Sequence, residues 1–293
     1  DPGWNERGHI VVRVQLSLMQ DGADRDLGTY EFIAGFRREG ESYRRALTVT
    51  EGPFVADVCS ESPDRVVIAF RTEPAAPARV LVRKAPAASS RAMMAELRRS
   101  ERPDNRPERI PREASPGDLR VFESPAAIRH ETGLQDLQPG TEYLYRVEVD
   151  GWTSTEYRFR TAPRPGQGTT RFAYAGDSRM GPGGGLRAFM GVNALVFPQE
   201  LNAAARMGAR FWLHGGDLVS GYTSVPDDFR AQLRAFKWIA TPFLRSVPIY
   251  TAFGNHDVLV RSYAGPDKQS VGLDRWPYAT ESTEAILADE LVQ

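Results

Sequence analysis

The sequence predicts a β-sandwich of short strands followed by an α/β layered domain, and three observations predict it. Apolar residues alternate in short runs broken by Gly, Pro and Asp up to about residue 161, the pattern of strands buried on one face. Pro and Gly then crowd residues 162–168, where no apolar period crosses, as at a domain boundary. Beyond it, apolar runs that stop at Gly alternate with helical patterns, the grammar of an α/β layer fold. The expected segments are a β segment of uncertain assignment at 1–51, the sandwich at 52–163, a linker at 164–168 and the α/β domain at 169–293.

In chain order, residues 10–16 and 29–33 read as strands, with Asp21 and Gly22 as a turn between them. Residues 66–72 and 78–83 read as two short strands separated by a Pro-rich turn. The stretch 84–118 is polar and rich in Pro and Arg, its positive charges largely matched by Glu and Asp. Mixed signs without interleaved aromatic residues favour a solvated surface insertion over a nucleic-acid loop. Met93, Met94 and Leu97 suit one helical turn docked on the sandwich. His130 sits at a strand position and reads as a half-buried polar residue rather than a ligand. Tyr143, Tyr145, Val147 and Val149 alternate strictly, and a second strand is expected over 155–161.

The α/β part opens on an apolar run ending at Gly176-Asp177, and a second run ends at Gly216-Asp217. A third, Pro248-Ile249-Tyr250-Thr251-Ala252, leads into Phe253-Gly254-Asn255-His256-Asp257. The turns are spaced by about forty residues, room for one strand–helix–strand crossover each time. Open α/β sheets place ligands at such strand ends, and Asn, His and Asp offer an amide oxygen, an imidazole and a carboxylate there. Asp after Gly at a strand end also closes an Asx turn or caps a helix, so each residue alone has a structural reading. The glycines at 181 and 183–185 lack the Lys-Ser/Thr pair of a phosphate loop and suit a flexible rim. Helical segments over 186–207 are expected to break at Pro198. Ser224, Pro226, Asp227 and Asp228 read as a helix start, with Ser224 as the cap. Phe229, Leu233, Phe236, Ala240 and Phe243 give that helix one apolar face. His214, on the strand before Asp217, reads as a packed strand residue.

The composition sets limits. The chain of 293 residues is 41% hydrophobic and 26% charged, with a formal net charge of -1, so it can bury a core and shows no polyanion-binding balance. No nucleic-acid partner is indicated. No apolar run of membrane-spanning length occurs. Cys59 is the single cysteine, so no intrachain disulfide is possible.

Leu134, Leu137, Pro139, Gly140, Thr141, Tyr143, Tyr145 and Val147 together resemble the corner motif of fibronectin type III domains. The three strand-end turns resemble the calcineurin-like metallophosphoesterases, including the purple acid phosphatases, over roughly residues 168–260. The resemblance implies an αββα sandwich that hydrolyses phosphate esters with two divalent or trivalent metal ions, Fe, Zn or Mn. Ions about 3.5–4 Å apart bind the anion and generate hydroxide near neutral pH. By resemblance Asp177 is a ligand to one metal, Asp217 the bridge, and Asn255 a ligand to the other, while His256 stands beside the leaving oxygen. The substrate class is a small-molecule phosphate ester.

This sequence departs from the family pattern. Arg179 stands where many members carry a His ligand, and two readings of it remain: a catalytic clamp on phosphate, or a partner for a local acid. The purple acid phosphatases supply a Tyr three residues after the second Asp, where this chain has Ser220, with Tyr222 two residues further on. Histidine motifs that would follow are absent, since no His occurs after His256 and the others are His9, His130 and His214. Residues 281–291 read as a helix with Ile286, Leu287 and Leu291 as its apolar set, cut without C-terminal punctuation. We therefore expect a domain incomplete at its C-terminus. A start at Asp1 without Met is read as a removed leader or a fragment, and an extracellular or periplasmic location is expected. The alternative to an enzyme is an extracellular binding module whose phosphoesterase domain is degenerate.

Overall fold

A computed structural model describes residues 9–20, 23–86, 119–150, 152–180, 188–260 and 283–291. The expected turn at Asp21 and Gly22, the docked turn at Met93 to Leu97 and the glycines at 181 and 183–185 lie outside the described residues.

The chain is β-rich. Strands β1 (His9–Gln20), β2 (Ala23–Glu39) and β3 (Ser42–Arg45) form an antiparallel sheet in that order. A second sheet holds β4 (Thr48–Ala56), β5 (Val66–Lys84), β6 (Arg120–Leu134), β7 (Glu142–Val149), β8 (Trp152–Thr153) and β9 (Tyr157–Arg160). Here β5 corrects the expectation of two strands and a turn. It runs through Pro74 and Pro77 as one strand, with irregular register against β6 between Arg71 and Ala76 and between Ala76 and Ala78. A proline has no N–H to give the ladder, but it tolerates extended backbone at a bulge. The first half of β5 pairs with β4 and the second half with β7, while β6 follows it throughout.

One apolar core gathers residues from both halves of β5, including Val66, Ile68, Phe70, Val80 and Val82, with Tyr145, Val147 and Phe159. The alternation of Tyr143, Tyr145, Val147 and Val149 is realised, since all are buried on β7. Each fully buried apolar side chain of this size contributes roughly 1.5–3 kcal/mol.

His130 is not half-buried as expected but only 1% exposed. Its ring stacks on Phe70, centroids 4.4 Å apart. The Thr72 hydroxyl already donates to the Ala127 carbonyl (3.0 Å), so His130 Nε2 donates to Thr72 Oγ1 (3.3 Å) and Nδ1 accepts from Ser124 Oγ (2.8 Å). Burial lowers the His130 pKa from its ordinary 6.5. The unfolded chain then takes the proton first as pH falls. The contribution of neutral His130 to stability is whole above about pH 6.5 and is lost as pH falls through the lowered folded-state value. Urea midpoints should therefore drop more between about pH 7.5 and 5.5 in the wild type than in His130→Gln, and parallel slopes for the two proteins would refute this.

The α/β part has a parallel three-stranded sheet, β10 (Ala173–Ala175), β13 (Trp212–His214) and β14 (Ile249–Thr251), in the order β10-β13-β14. A small hairpin, β11 (Ala188–Phe189) and β12 (Val192–Asn193), precedes helix α1 (Val196–Arg206). Helices α2 (Pro226–Leu244) and α3 (Thr283–Glu290) complete the described elements. Pro198 lies in the first turn of α1 instead of breaking a helix. The first N–H groups of a helix have no intrahelical acceptor, so a proline there removes nothing. The cap position is Leu195 and no side chain caps it, but Asn193 just ahead accepts the Val196 N–H at 3.0 Å. At α2 the cap position falls on Val225, not Ser224, and no side chain caps it; Pro226 opens the helix and Asp227 and Asp228 lie in its first turn. Phe229, Leu233, Phe236, Ala240 and Phe243 are all buried against the core, as their spacing predicts.

The two parts adhere. Phe54 of β4 lies in the α/β core. Tyr145 donates to the Arg245 carbonyl (2.8 Å), and the Arg245 guanidinium lies over the Tyr157 ring. Tyr250 exchanges hydrogen bonds with the Val58 backbone, donating to its carbonyl (2.8 Å) and accepting from its N–H (3.0 Å). No helix among the described residues is long and apolar enough to cross a membrane.

Candidate functional site

Three parallel strands end level, and this brings the expected residues together. Ala175, His214 and Thr251 are partners across β10, β13 and β14. The ladder continues past the strands: the Asp177 N–H reaches the Gly216 carbonyl (3.0 Å), the Arg179 N–H the Asp217 carbonyl (3.2 Å) and the Ala252 N–H the His214 carbonyl (2.8 Å). Asp177 and Asp217 both sit at φ 56, a left-handed conformation that Asp tolerates better than most residues.

Asp217 is buried, and both of its oxygens are engaged. Oδ1 accepts the His256 N–H at 3.1 Å, and Oδ2 accepts Arg179 Nε at 3.0 Å. The same Nε lies 3.6 Å from Asp177 Oδ1. Arg179 thus takes the local pairing, one of the two readings open from the sequence. Asp177 is otherwise open, its side chain 75% exposed.

On the third turn, Asn255 Nδ2 donates to the Tyr222 hydroxyl at 2.7 Å. The Tyr222 ring packs on His256 with centroids 4.0 Å apart. His256 Nδ1 lies 2.7 Å from the Ser220 carbonyl. A carbonyl only accepts, so Nδ1 carries the hydrogen and Nε2 is left to exchange protons. Ser220 itself is turned away, with both its N–H and its hydroxyl on the Gly191 carbonyl.

Two buried groups hold this arrangement from beneath. Asp257 is fully buried and staples two turns, Oδ1 accepting the Leu218 and Val219 N–H groups and Oδ2 the Gly254 N–H. Burial pushes its carboxyl up to about 6, against the downward pull of those N–H groups. His214 is buried, as its strand position predicts. The Ser178 hydroxyl donates to the Leu218 carbonyl, so His214 Nε2 donates to Ser178 (2.9 Å), and its Nδ1 accepts the Gly216 N–H (3.3 Å). Burial takes the His214 pKa down to about 4. Sequence reading did not foresee that Tyr222 holds Asn255 and His256, or that Asp257 joins the turns. The only signal was the placement of these residues beside the motif residues.

In chemical kind, Asp177, Asp217 and Asn255 are oxygen donors suited to hard cations. In arrangement they do not fit a pair of ions as they stand, because Arg179 already stands against both carboxylates. Among the described residues, no group of three or more His, Cys, Asp and Glu is placed to hold a metal ion.

No protein-family model matches the chain, and none of the curated proteins does. Among solved structures it is similar to purple acid phosphatase PPD1 from seeds of yellow lupin (Lupinus luteus), with TM-score 0.47 and 15% identity over 82% of this chain and 44% of that one. It is similar to PhoD with TM-score 0.42 and 16% identity over 81% of this chain and 44% of that one. A shorter likeness, TM-score 0.25 and 14% identity, covers 43% of this chain and 97% of the sensor domain of the anti-sigma factor RsgI4 of Pseudobacteroides cellulosolvens. The chain spans less than half the length of the first two. All three likenesses are too distant to assign an activity.

Proposed function

We propose that the chain carries the strand-end part of a site that hydrolyses phosphate esters, as a phosphatase or phosphodiesterase, in a metallophosphoesterase domain behind a fibronectin III-like sandwich. One observation supports the reading above others: level parallel strands deliver Asp177, Asp217, Asn255 and His256 to one edge of one sheet, in the order of the family motif. In this proposal the Fe, Zn or Mn ions implied by the resemblance would meet Asp177, Asp217 and Asn255 only after Arg179 has left them.

The contribution of this chain's own residues is proton transfer and charge placement. His256 is oriented by Ser220 and Tyr222, so its Nε2 is positioned to give a proton to a leaving alkoxide. Arg179, once released from the acids, has the planar donor fork that suits a phosphate. A second reading, a binding module with a degenerate phosphoesterase domain, is favoured by the Arg179 pairing, which offsets charge at the two carboxylates.

A fluorogenic phosphate monoester and a diester, each with millimolar Mn²⁺, Zn²⁺ or Fe²⁺, separate the two. The expected result is slow turnover that falls about 100-fold in His256→Ala. Equal rates in wild type and variant would remove His256 from the chemistry. Turnover at background with every metal would favour the binding module.

A further inference from the structure

We infer that Arg179 is a built-in counter-cation that competes with metal for Asp177 and Asp217, so that loading of the site is opposed by the protein's own guanidinium. The inference rests on the phosphoesterase reading of this site. It begins with Asp217, only 8% exposed. A buried carboxylate stays ionised only with a charged or hydrogen-bonded partner. Its Oδ1 is satisfied by the backbone of His256 and its Oδ2 by Arg179, so the charge is balanced without any ion.

The arginine is held in this place by its backbone. Arg179 bridges Val192 in antiparallel pairing, and its N–H reaches the Asp217 carbonyl. The guanidinium therefore rises beside the two acids from a fixed root. Arg179 Nε lies 3.0 Å from Asp217 Oδ2. A metal bound to that oxygen at about 2.0–2.2 Å would lie within contact distance of a like charge. Metal and arginine exclude each other there, and each favours the state the other disfavours. A hydrogen bond between charged groups is strong enough for its loss to change metal affinity on the order of 10- to 100-fold.

Mn²⁺ binding measured by isothermal titration calorimetry, with thermal melting beside it, tests this in wild type, Arg179→Gln and Arg179→Lys. In the absence of metal Arg179→Gln should melt lower than wild type, because Asp217 has lost its cation. Mn²⁺ should bind Arg179→Gln at least about 10-fold more tightly than wild type and restore its melting temperature. Arg179→Lys, which keeps the charge and avoids a grossly misfolded control, should stay close to wild type. Equal affinities in wild type and Arg179→Gln, or binding by neither at millimolar Mn²⁺, would overturn the inference. Equal affinity with intact turnover defeats the inference alone, whereas tightened binding without turnover in any form defeats the phosphoesterase reading alone.

Discussion

Gly254→Ala is expected to destabilise the protein by about 3 kcal/mol, the upper end for overpacking a tight site, and to abolish the His256-dependent turnover proposed for the site. The reason is the approach of two turns. A Cβ on Gly254 would fall 2.5 Å from the Asp217 backbone nitrogen and closer still to Asp217 Oδ1. Neither neighbour can yield freely. Asp217 is fixed through Arg179 and the His256 N–H, and the Gly254 N–H is held by Asp257 Oδ2 at 2.8 Å. The methyl must therefore push the third turn off the second and break the His256–Asp217 bond. A neighbouring control is Phe253→Ala, since Phe253 is 44% exposed and its ring should be dispensable to the fold. Urea unfolding and the fluorogenic assay together read both effects. A Gly254→Ala protein with wild-type midpoint and turnover would show that the turns do not depend on this contact.

Much of the architecture is legible in the sequence where one period governs a stretch. The alternation from Tyr143 to Val149 and the spaced apolar residues of α2 report burial directly, because side-chain direction repeats along a strand or a helix. The strand-end turns are legible as well, since Gly followed by Asp or Asn after an apolar run is a local signal. Errors arose where one residue type allows two geometries. Pro198 breaks a helix interior but suits a first turn, and Pro74 and Pro77 end a regular strand but suit a bulge. Within the site, the partners were hidden for a different reason. Arg179 is two residues from Asp177 and 38 from Asp217, and only the parallel register of β10 and β13 places it between them. Asp257 belongs to the motif string yet turns inward to staple Leu218, Val219 and Gly254, which no spacing within its own turn reveals.

Glu290→Ala is expected to cost about 3 kcal/mol, the lower end for breaking a buried ion pair, while leaving the proposed turnover unchanged. Glu290 is 1% exposed at the end of α3. Its carboxylate takes Arg234 Nη2 at 2.8 Å and Lys237 Nζ at 3.2 Å from α2. Burial pushes its pKa up, but Arg234 and Lys237 together pull it below the ordinary carboxylate value. That part of the stability is present above about pH 4.5 and is lost as pH falls through the lowered folded value. The loss on substitution is limited because Lys237 keeps Glu51 of β4 at 2.6 Å and Arg234 reaches solvent. The neighbouring Asp289 ties the same helix end to Arg71 and Arg230, and Arg129 of β6 donates to the Ala288 carbonyl at 2.8 Å, so α3 is clasped to both parts of the molecule. At its other end Thr283 Oγ1 accepts the Leu259 N–H at 3.0 Å, and Leu259 bridges Thr223 beyond the turn that carries His256. Because that end does not depend on Glu290, the site should survive. A double-mutant cycle with Lys237→Met isolates the Glu290–Lys237 pair from the contacts of Glu290 with Arg230 and Arg234. Near-zero coupling between the two substitutions, or turnover that falls in step with stability, would show that the charges of α3 do not act as a separate clasp.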